Sequence, residues 1–221
     1  MKQLILEGLK EMELSHLVPA EAPEMLEAYG RMLIEKNKVM NLTAITEPDQ
    51  VARLHMLDCA ALLPHLPQTG RLIDVGTGAG FPGMVLKILR PELDVTLLDS
   101  LNKRLDWLSE VADTLGLRGI RTVHARAEEQ SHKPDFRDSF DVVTARAVAS
   151  MELLSELCLP YAAVGGQVIA MKSVSSDQEL SQTSAGIGML GGQVVRSEDY
   201  RIPGTDVVHR LVLLQDRKSV V

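Results

Sequence analysis

The segment from Leu72 to Gly83 limits the possible folds most strongly, because a short apolar strand runs directly into a turn with four glycines in eight residues. Glycine tolerates positive φ angles and has no side chain that would hold a ligand away from the backbone. Pro82 suits the first turn of a helix, where its missing N–H group is not needed. A strand that enters a helix through such a turn is typical of the nucleotide-sized pockets of open α/β sheets. A merely tight strand–helix loop is the alternative, although one or two glycines would suffice for it.

The length and composition are those of a globular protein. The chain has 221 residues, enough for one core with a small extension or for two small domains, and 45% of them are hydrophobic and 24% charged. No apolar run approaches the ~18 residues of a membrane span, and the N-terminus lacks the apolar block of a signal peptide. We therefore expect a cytoplasmic protein without membrane contact, in which Cys59 and Cys158 are reduced thiols of the core.

The charge and the pattern of metal-ligating residues narrow the function classes. The net charge of −7 argues against a general nucleic-acid binder, whose field is strongly positive, but it allows recognition of one structured RNA through a local patch. The sequence contains no CxxC, HExxH or His cluster. We therefore predict no metal site.

Residues 1–69 are predicted to form a helical region. Apolar residues near i, i+4 spacing predict a first helix after the N-terminus and a second through residues 25–34, separated by Pro19 and Pro23. A third helix is predicted from Pro48 to Leu63. The polar stretch 36–43, with two Lys and two Asn, is predicted to be a solvated loop, unless it faces the cofactor and contacts phosphate.

From residue 71 the pattern changes to alternating strands and helices, which predicts a parallel sheet covered on both faces. We predict an α/β, Rossmann-like fold over residues 70–221, with a mostly parallel sheet, a terminal antiparallel hairpin and the helical region 1–69 as an N-terminal extension. The predicted strands are 71–75, 94–99, 120–124, 140–144, 166–172 and the hairpin pair 193–196 and 207–214, and the predicted helices are 82–90, 102–115 and 151–159.

Two kinds of cofactor fit the glycine loop. Gly78, Gly80 and Gly83 satisfy the GxGxxG pattern of dinucleotide folds, whereas Asp74 with glycines at 76, 78 and 80 matches the acid-x-Gly-x-Gly-x-Gly loop of S-adenosylmethionine (SAM) folds. Both folds need an acid at the end of the second strand to accept hydrogen bonds from the ribose. Asp99 stands there, 19 residues after Gly80.

The two acidic residues, Asp74 and Asp99, favour SAM over a dinucleotide as the cofactor. Its sulfonium and ammonium groups suit a site with Asp74 and Asp99, whereas these carboxylates would repel the pyrophosphate of a dinucleotide. The chain also shows only one sheet, without the second region in which a dehydrogenase keeps its proton donor. We therefore predict a class I SAM-dependent methyltransferase, with an NAD(P)-dependent oxidoreductase as the alternative.

Two further loops belong to the predicted site. The loop 125–129 follows the third strand and would lie beside the adenine, where a backbone N–H group and the Glu128 carboxylate read the edge of the ring. A solvated loop acid is the other interpretation of Glu128. The segment 144–147 lacks the Asn/Asp-Pro-Pro-aromatic motif of amino-methylating enzymes, so we predict an acceptor other than an exocyclic amine. Within it, Arg146 is either part of the site or a surface or ion-pair arginine.

With these motifs identified, the chain resembles the RsmG (GidB) family of bacterial enzymes, which methylate N7 of a guanine in 16S ribosomal RNA. The glycine block with Phe81-Pro82-Gly83 is its most specific part, and the resemblance covers about residues 25–172. It rests on the segments 41–43, 55–58, 73–83, 97–104, 125–129, 146–147 and 171–172. The resemblance implies contacts with SAM at Gly76, Phe81, Ala127, Glu128 and Arg146. We add Gly78 from the loop motif and Asp99 from the ribose argument.

The reaction that the resemblance implies needs no acid or base group from the protein. Guanine N7 carries a lone pair and no proton at neutral pH, so it attacks the methyl group in line without a general base, and positioning is the main contribution. We therefore predict no acid or base catalyst, with Arg146 either contacting guanine O6 or holding the cofactor site. Because the major groove of A-form RNA is too narrow to enter, the base must come from a loop or be splayed out.

The expected partners are 16S rRNA and the small ribosomal subunit, with a monomer as the simplest state of the protein. His55 and Asp58 lie three residues apart on one helix face, which indicates either a structural hydrogen-bonded pair or a substrate contact. A non-catalytic SAM-binding module associated with the ribosome is the second alternative function. The predicted RNA contacts are the side chains of Lys36, Lys38, Arg53, His55, Lys172, Arg126 and Arg201.

Overall fold

A seven-stranded sheet organises the part of the chain that the structure, a computed structural model, describes: residues 1–146, 150–174 and 177–217. The strands are β1 (Gly70–Val75), β2 (Leu93–Asp99), β3 (Ile120–His124), β4 (Phe140–Arg146), β5 (Ala162–Ser173), β6 (Gly192–Arg201) and β7 (Val208–Asp216). Their spatial order is β3-β2-β1-β4-β5-β7-β6, with β1 to β5 parallel and β7 antiparallel to both β5 and β6. This confirms the predicted mostly parallel sheet with a terminal antiparallel hairpin. Ala147, which belongs to the family resemblance, lies outside the described residues.

Helices connect these strands and precede them. They are α1 (Lys2–Glu11), α2 (Ala22–Met40), α3 (Pro48–Val51), α4 (Asp58–Ala60), α5 (Gly83–Leu89), α6 (Asn102–Thr114), α7 (Ala127–Gln130), α8 (Met151–Cys158) and α9 (Asp177–Met189). A π-helical segment, Ala52–Leu57, joins α3 to α4, so residues 48–60 form one continuous helical stretch. The predicted third helix is therefore present, although it ends before Leu63.

The end of α2 differs from the prediction. The loop expected over residues 36–43 is wrong in its first part, because α2 runs through it to Met40. The C-cap residue is Asn41, whose φ of 51° is left-handed. The Asn37 side-chain carbonyl accepts hydrogen bonds from the backbone N–H groups of Leu42 at 2.6 Å and Thr43 at 2.9 Å. The polar residues that suggested a solvated loop therefore close the C-terminal end of the helix.

Helix α9 has no counterpart among the predicted helices. Its sequence is weakly amphipathic and contains Gly186 and Gly188, which lower helix propensity. The helix packs against α8 and β6, and its Ile187 is buried. Tertiary packing therefore holds this helix, and the sequence shows no clear apolar period that would have predicted it.

Two hydrophobic layers enclose the sheet. Successive strand residues point to opposite faces, so Leu72 of β1 packs into one layer and Ile73 into the other. The first layer includes Ile5 of α1 and Leu26 of α2, and the second includes Leu154 of α8. The helical region thus shares a core with the sheet, and the division into residues 1–69 and 70–221 stays a prediction. The cysteines are buried, unpaired thiols, which confirms the predicted core location.

Candidate functional site

The carboxylate of Asp74, at the end of β1, holds the glycine loop from beneath. It is fully buried and accepts hydrogen bonds from the Gly83 backbone N–H at 2.8 Å and from the Thr77 hydroxyl at 2.7 Å. A Cβ atom at Gly83 would lie 2.8 Å from the Cβ of Asp74, so only glycine allows this approach. Burial raises the pKa of Asp74 to about 6. The expectation that Asp74 faces the ligand together with Asp99 is therefore wrong, because Asp74 is fully buried beneath the loop and does not line the cavity beside Asp99.

Asp99, at the end of β2, lies on the cavity side of the glycine loop. One carboxylate oxygen accepts from the Gly78 N–H at 2.9 Å and the other from the Leu101 N–H at 2.8 Å. A carboxylate has about four lone-pair positions, so both oxygens keep acceptor capacity. Leu101 is the N-cap residue of α6, so the second of these bonds ties Asp99 to the start of that helix.

A cavity of about 310 Å³ opens beside Asp99 at the C-terminal ends of β1 and β2. This volume lies at the lower end of the usual range for small-molecule sites, about 300–1,000 Å³. Five of the seven predicted cofactor residues line it, namely Gly76, Asp99, Ala127, Glu128 and Arg146. Gly76 adopts a φ of 72°, which favours glycine. Ser100 and Leu157 also line the cavity and were not among the predicted cofactor residues.

The other two predicted residues lie behind this cavity. Gly78 donates its backbone N–H to Asp99, as described above, and is absent from the lining. The Phe81 ring is buried, and it stacks on the His55 ring with centroids 4.3 Å apart. The guanidinium carbon of Arg146 also lies close to this ring, 4.8 Å from the centre of Phe81. Phe81 therefore supports Arg146 through its side chain.

The loop after β3 presents an ionised acid to the cavity. Glu128 accepts a hydrogen bond from the Arg126 guanidinium at 2.7 Å. A backbone hydrogen bond and this ion pair lower the pKa of Glu128. The Tyr161 hydroxyl donates to the Ala127 carbonyl at 2.6 Å and so fixes the loop to the layer beneath it. An acceptor beside a loop with a defined backbone suits a flat, nitrogen-rich ring.

Arg146, at the end of β4, is held by a buried acid. Its Nη1 lies 3.2 Å from Oδ2 of Asp58, whose side chain is only 2% exposed. Asp58 also accepts hydrogen bonds from the Tyr200 hydroxyl at 2.6 Å and from Nδ1 of His209 at 2.8 Å. Burial opposes the charge of Arg146, but the nearby acid, Asp58, helps to raise its pKa. Arg146 therefore lines the cavity and also forms an ion pair with Asp58.

His55 contacts the same arginine. It lies in the π-helical segment, a feature frequently found at functional sites, and its Nδ1 is 3.2 Å from Nη2 of Arg146. Burial and the charge of Arg146 lower the pKa of His55 to about 4, so the ring is neutral at pH 7. Nδ1 also lies 3.1 Å from the Leu54 carbonyl, and Nε2 lies 2.9 Å from the Thr43 hydroxyl, so both ring nitrogens have polar partners. His55 and Asp58 thus meet through Arg146, and no hydrogen bond joins them in the described structure.

A second cavity, of about 580 Å³, lies on the other side of Arg146. It is bounded by the ends of β4 and β5, the start of β7 and the helical region. Most of its wall is apolar, with polar groups from Arg146, Lys172 and His209. The residues that line it are Ile45, Leu54, His55, Asp58, Arg146, Met171, Lys172, Ser173, Val207 and His209. Neither Asp58 as a shared acceptor nor His209 was predicted, because their partners lie 142 and 151 residues apart in sequence.

The predicted RNA contacts fall into three groups. His55 and Lys172 line the second cavity, and Arg126 lines the first. Arg53 donates to the Pro203 carbonyl at 2.7 Å and so closes the turn between β6 and β7. The remaining three, Lys36, Lys38 and Arg201, pair with acids near the surface, at Glu110, Glu35 and Asp206.

Metal ligands and membrane spans were searched for in residues 1–146, 150–174 and 177–217. Those residues contain no group of three or more His, Cys, Asp or Glu side chains that could hold a metal ion. Within the same ranges, no helix combines the length and apolar character needed to cross a membrane.

Relatives of known identity match most of the chain. The family model for rRNA small subunit methyltransferase G (GidB) matches residues 22–203. The ribosomal RNA small subunit methyltransferase G of Clostridium perfringens (strain 13 / Type A) is 45% identical over 193 residues, which are 86% of this chain and 81% of the relative. The protein of the same name from Alkaliphilus metalliredigens is 41% identical over 220 residues, which are 99% of this chain and 91% of the relative.

A solved structure shares the fold. M. jannaschii TYW2, solved in complex with AdoMet, aligns with a TM-score of 0.52 and 13% identity over 68% of this chain and 70% of its own. Such a likeness shows the class I methyltransferase fold, which confirms the predicted fold class. Because the family model covers well over half of the sequence and both relatives exceed 40% identity, the chain belongs to the rRNA small subunit methyltransferase G family.

Proposed function

We propose that the protein transfers a methyl group from SAM to N7 of a guanine in a loop of 16S rRNA. The observation that carries this proposal is the meeting of two cavities at Arg146 in a chain of this family. One cavity is built around the glycine loop and Asp99, and the other around apolar side chains at the ends of β4 and β5. A two-substrate transfer needs such an arrangement, because both substrates must reach one point.

The residues of the first cavity fit SAM. Its ribose offers two hydroxyl donors, and the Asp99 carboxylate is fixed by two backbone N–H groups with acceptor capacity remaining. Glu128 and the backbone of the 125–129 loop face the adenine in this assignment. SAM supplies an electrophilic methyl group on a cationic sulfur. The oxidoreductase alternative has no support in the family membership of the chain.

In this proposal the protein catalyses the reaction mainly by positioning the two substrates. The N7 lone pair forms the new carbon–nitrogen bond as the sulfur–methyl bond breaks, and the bonding electron pair stays on sulfur, which becomes an uncharged thioether. No proton leaves N7, so no general base is needed. Arg146 keeps its place through Asp58 and His55 and defines the boundary at which the two substrates meet. Preorganised groups of this kind lower a barrier without reorganising during the reaction.

The rRNA must present its guanine as an extruded base, since N7 lies on the edge that faces the narrow groove of A-form RNA. We propose that Lys172, with Lys36, Lys38, Arg53 and His55, lies near the RNA. Because ribosomal subunits are found in the cytoplasm, we propose that the protein acts there.

Methyl transfer tests this proposal. The protein is incubated with SAM that carries a tritiated methyl group and with 30S subunits or naked 16S rRNA from cells that lack the modification, and label in the RNA is counted. Label in rRNA, with calorimetric binding of SAM and none of NAD, is the expected result. SAM binding without label would instead support the non-catalytic module, and NAD binding without SAM binding would support the oxidoreductase.

A further inference from the structure

The second cavity has the character of a nucleobase site. Its apolar side chains come from both of its sides, with Ile45 and Leu54 in the helical region and Met171 and Val207 on the sheet side. Flat bases are held by apolar contact and by a few placed polar groups. The cavity also lies at the carboxyl ends of parallel strands, where open α/β sheets bind ligands.

His209 is a polar group of this cavity with a ring nitrogen available to a substrate. It lies on β7 between Ser173 of β5 and Tyr200 of β6. Its Nδ1 is bound to Asp58, and among the described residues no group hydrogen-bonds its Nε2. The side chain is 34% exposed, so a substrate can reach it.

We propose that the second cavity is the acceptor subsite for the extruded guanine, and that His209 selects guanine by donating a hydrogen bond from Nε2 to its O6 atom. This inference rests on the proposed function and adds a place and a selectivity residue for the base. Guanine carries an acceptor, O6, beside N7, whereas adenine carries an amino donor at that position. A donor at O6 therefore favours guanine and leaves the neighbouring N7 lone pair for the methyl group.

The surroundings of His209 keep it a donor. Its hydrogen bond with Asp58 raises the pKa of His209, while burial and the charge of Arg146 oppose this rise. Tyr200 faces it from β6 as a neutral phenol, since burial and Asp58 hold the pKa of Tyr200 well above its usual range. Lys172 and Ser173 of β5 and the neutral His55 complete the groups around the cavity. In the imidazolium form both ring nitrogens donate, one to Asp58 and one to the substrate.

The first test compares His209→Phe with His209→Arg, which keeps a permanent donor. We expect His209→Phe to raise KM for 30S subunits about tenfold to hundredfold, as for a lost charged hydrogen bond, with kcat and the SAM dissociation constant little changed. In the wild type KM should rise as the pH passes above the pKa of His209, because the donor is lost. His209→Arg should show no such rise. His132→Phe, an exposed histidine outside both cavities, is the matched control.

The second test fills the cavity. We expect Val207→Trp to raise KM for 30S subunits at least tenfold and to leave SAM binding unchanged, whereas Val195→Trp, an exposed valine away from both cavities, changes neither. Unchanged KM in His209→Phe, or weaker SAM binding with normal KM in Val207→Trp, overturns the inference. An inactive wild type overturns the proposed function itself, so the two failures are distinguishable.

Discussion

Tyr29 of α2 donates its hydroxyl hydrogen bond to the backbone carbonyl of Ala79 in the glycine loop, although 50 residues separate them. The ring is fully buried and lies against Phe81, with centroids 5.5 Å apart. A Cβ atom at Gly80 would meet the same hydroxyl. The helical region therefore supports the loop that we assign to SAM.

Replacing Tyr29 by phenylalanine should weaken SAM binding. The Ala79 carbonyl would lose its partner in a buried setting, which costs about 1–3 kcal/mol of the free energy of unfolding. We expect SAM affinity to fall several-fold, because the loop becomes less ordered. Calorimetric titration measures the affinity and urea unfolding the stability. Lower stability with unchanged SAM affinity would show that α2 supports the fold but not the loop.

Removing the Asp99 carboxylate should reduce SAM affinity more strongly. Asp99→Ala deletes the acceptor for the ribose hydroxyls and frees the Gly78 N–H, so we expect a fall of about tenfold to hundredfold. Asp113→Asn, on the exposed side of α6, serves as the control. Equal SAM affinity in Asp99→Ala and the wild type would remove Asp99 from the site.

The buried Asp74 should make stability depend on pH. Burial raises the pKa of Asp74 to about 6 from the ordinary value of 3.8, so the folded protein holds this proton more tightly than the unfolded chain. The free energy of unfolding should therefore fall as the pH rises from about 4 to about 6, by an amount on the order of 2–3 kcal/mol. Urea unfolding at intervals across this window measures it. In Asp74→Asn this decrease in the free energy of unfolding should be absent. If the free energy of unfolding changed equally with pH in the variant and the wild type, the raised pKa of Asp74 would be contradicted.

Removal of Asp58 should destabilise the fold. In Asp58→Ala the buried charge of Arg146 loses its counter-ion and Tyr200 and His209 lose their acceptor, so we expect a loss of about 3–5 kcal/mol. In the control Asp206→Ala, the exposed pair with Arg201 is lost and no measurable change is expected. Thermal and urea unfolding compare the two. A loss no larger than that of the control would show that Arg146 finds another partner.

Much of the fold follows from local patterns. The alternation of strand-like and helical segments predicted each strand of the sheet, and the glycine loop with Asp99 predicted a cavity that the structure contains. The C-terminal end of α2 was missed because Lys and Asn signal both loops and helix ends, and only the contacts of Asn37 with Leu42 and Thr43 distinguish them.

Local sequence patterns could not predict the group of side chains that bind Asp58. Asp58, Arg146 and the pair Tyr200 and His209 come from three distant segments, and no spacing within one element links them. Asp74 was misassigned for a related reason. An acid at a strand end serves a ligand or the backbone equally well by sequence, and only the close approach of Gly83 decides between them.

Identifying the methylated nucleoside tests the central claim most directly. 16S rRNA from unmodified 30S subunits is incubated with the protein and SAM, digested to nucleosides and resolved by chromatography with mass spectrometry. The account predicts one new product, 7-methylguanosine, which is absent when SAM is omitted. A methyl group on another base or on another atom of guanine, or an unchanged nucleoside profile, would contradict it.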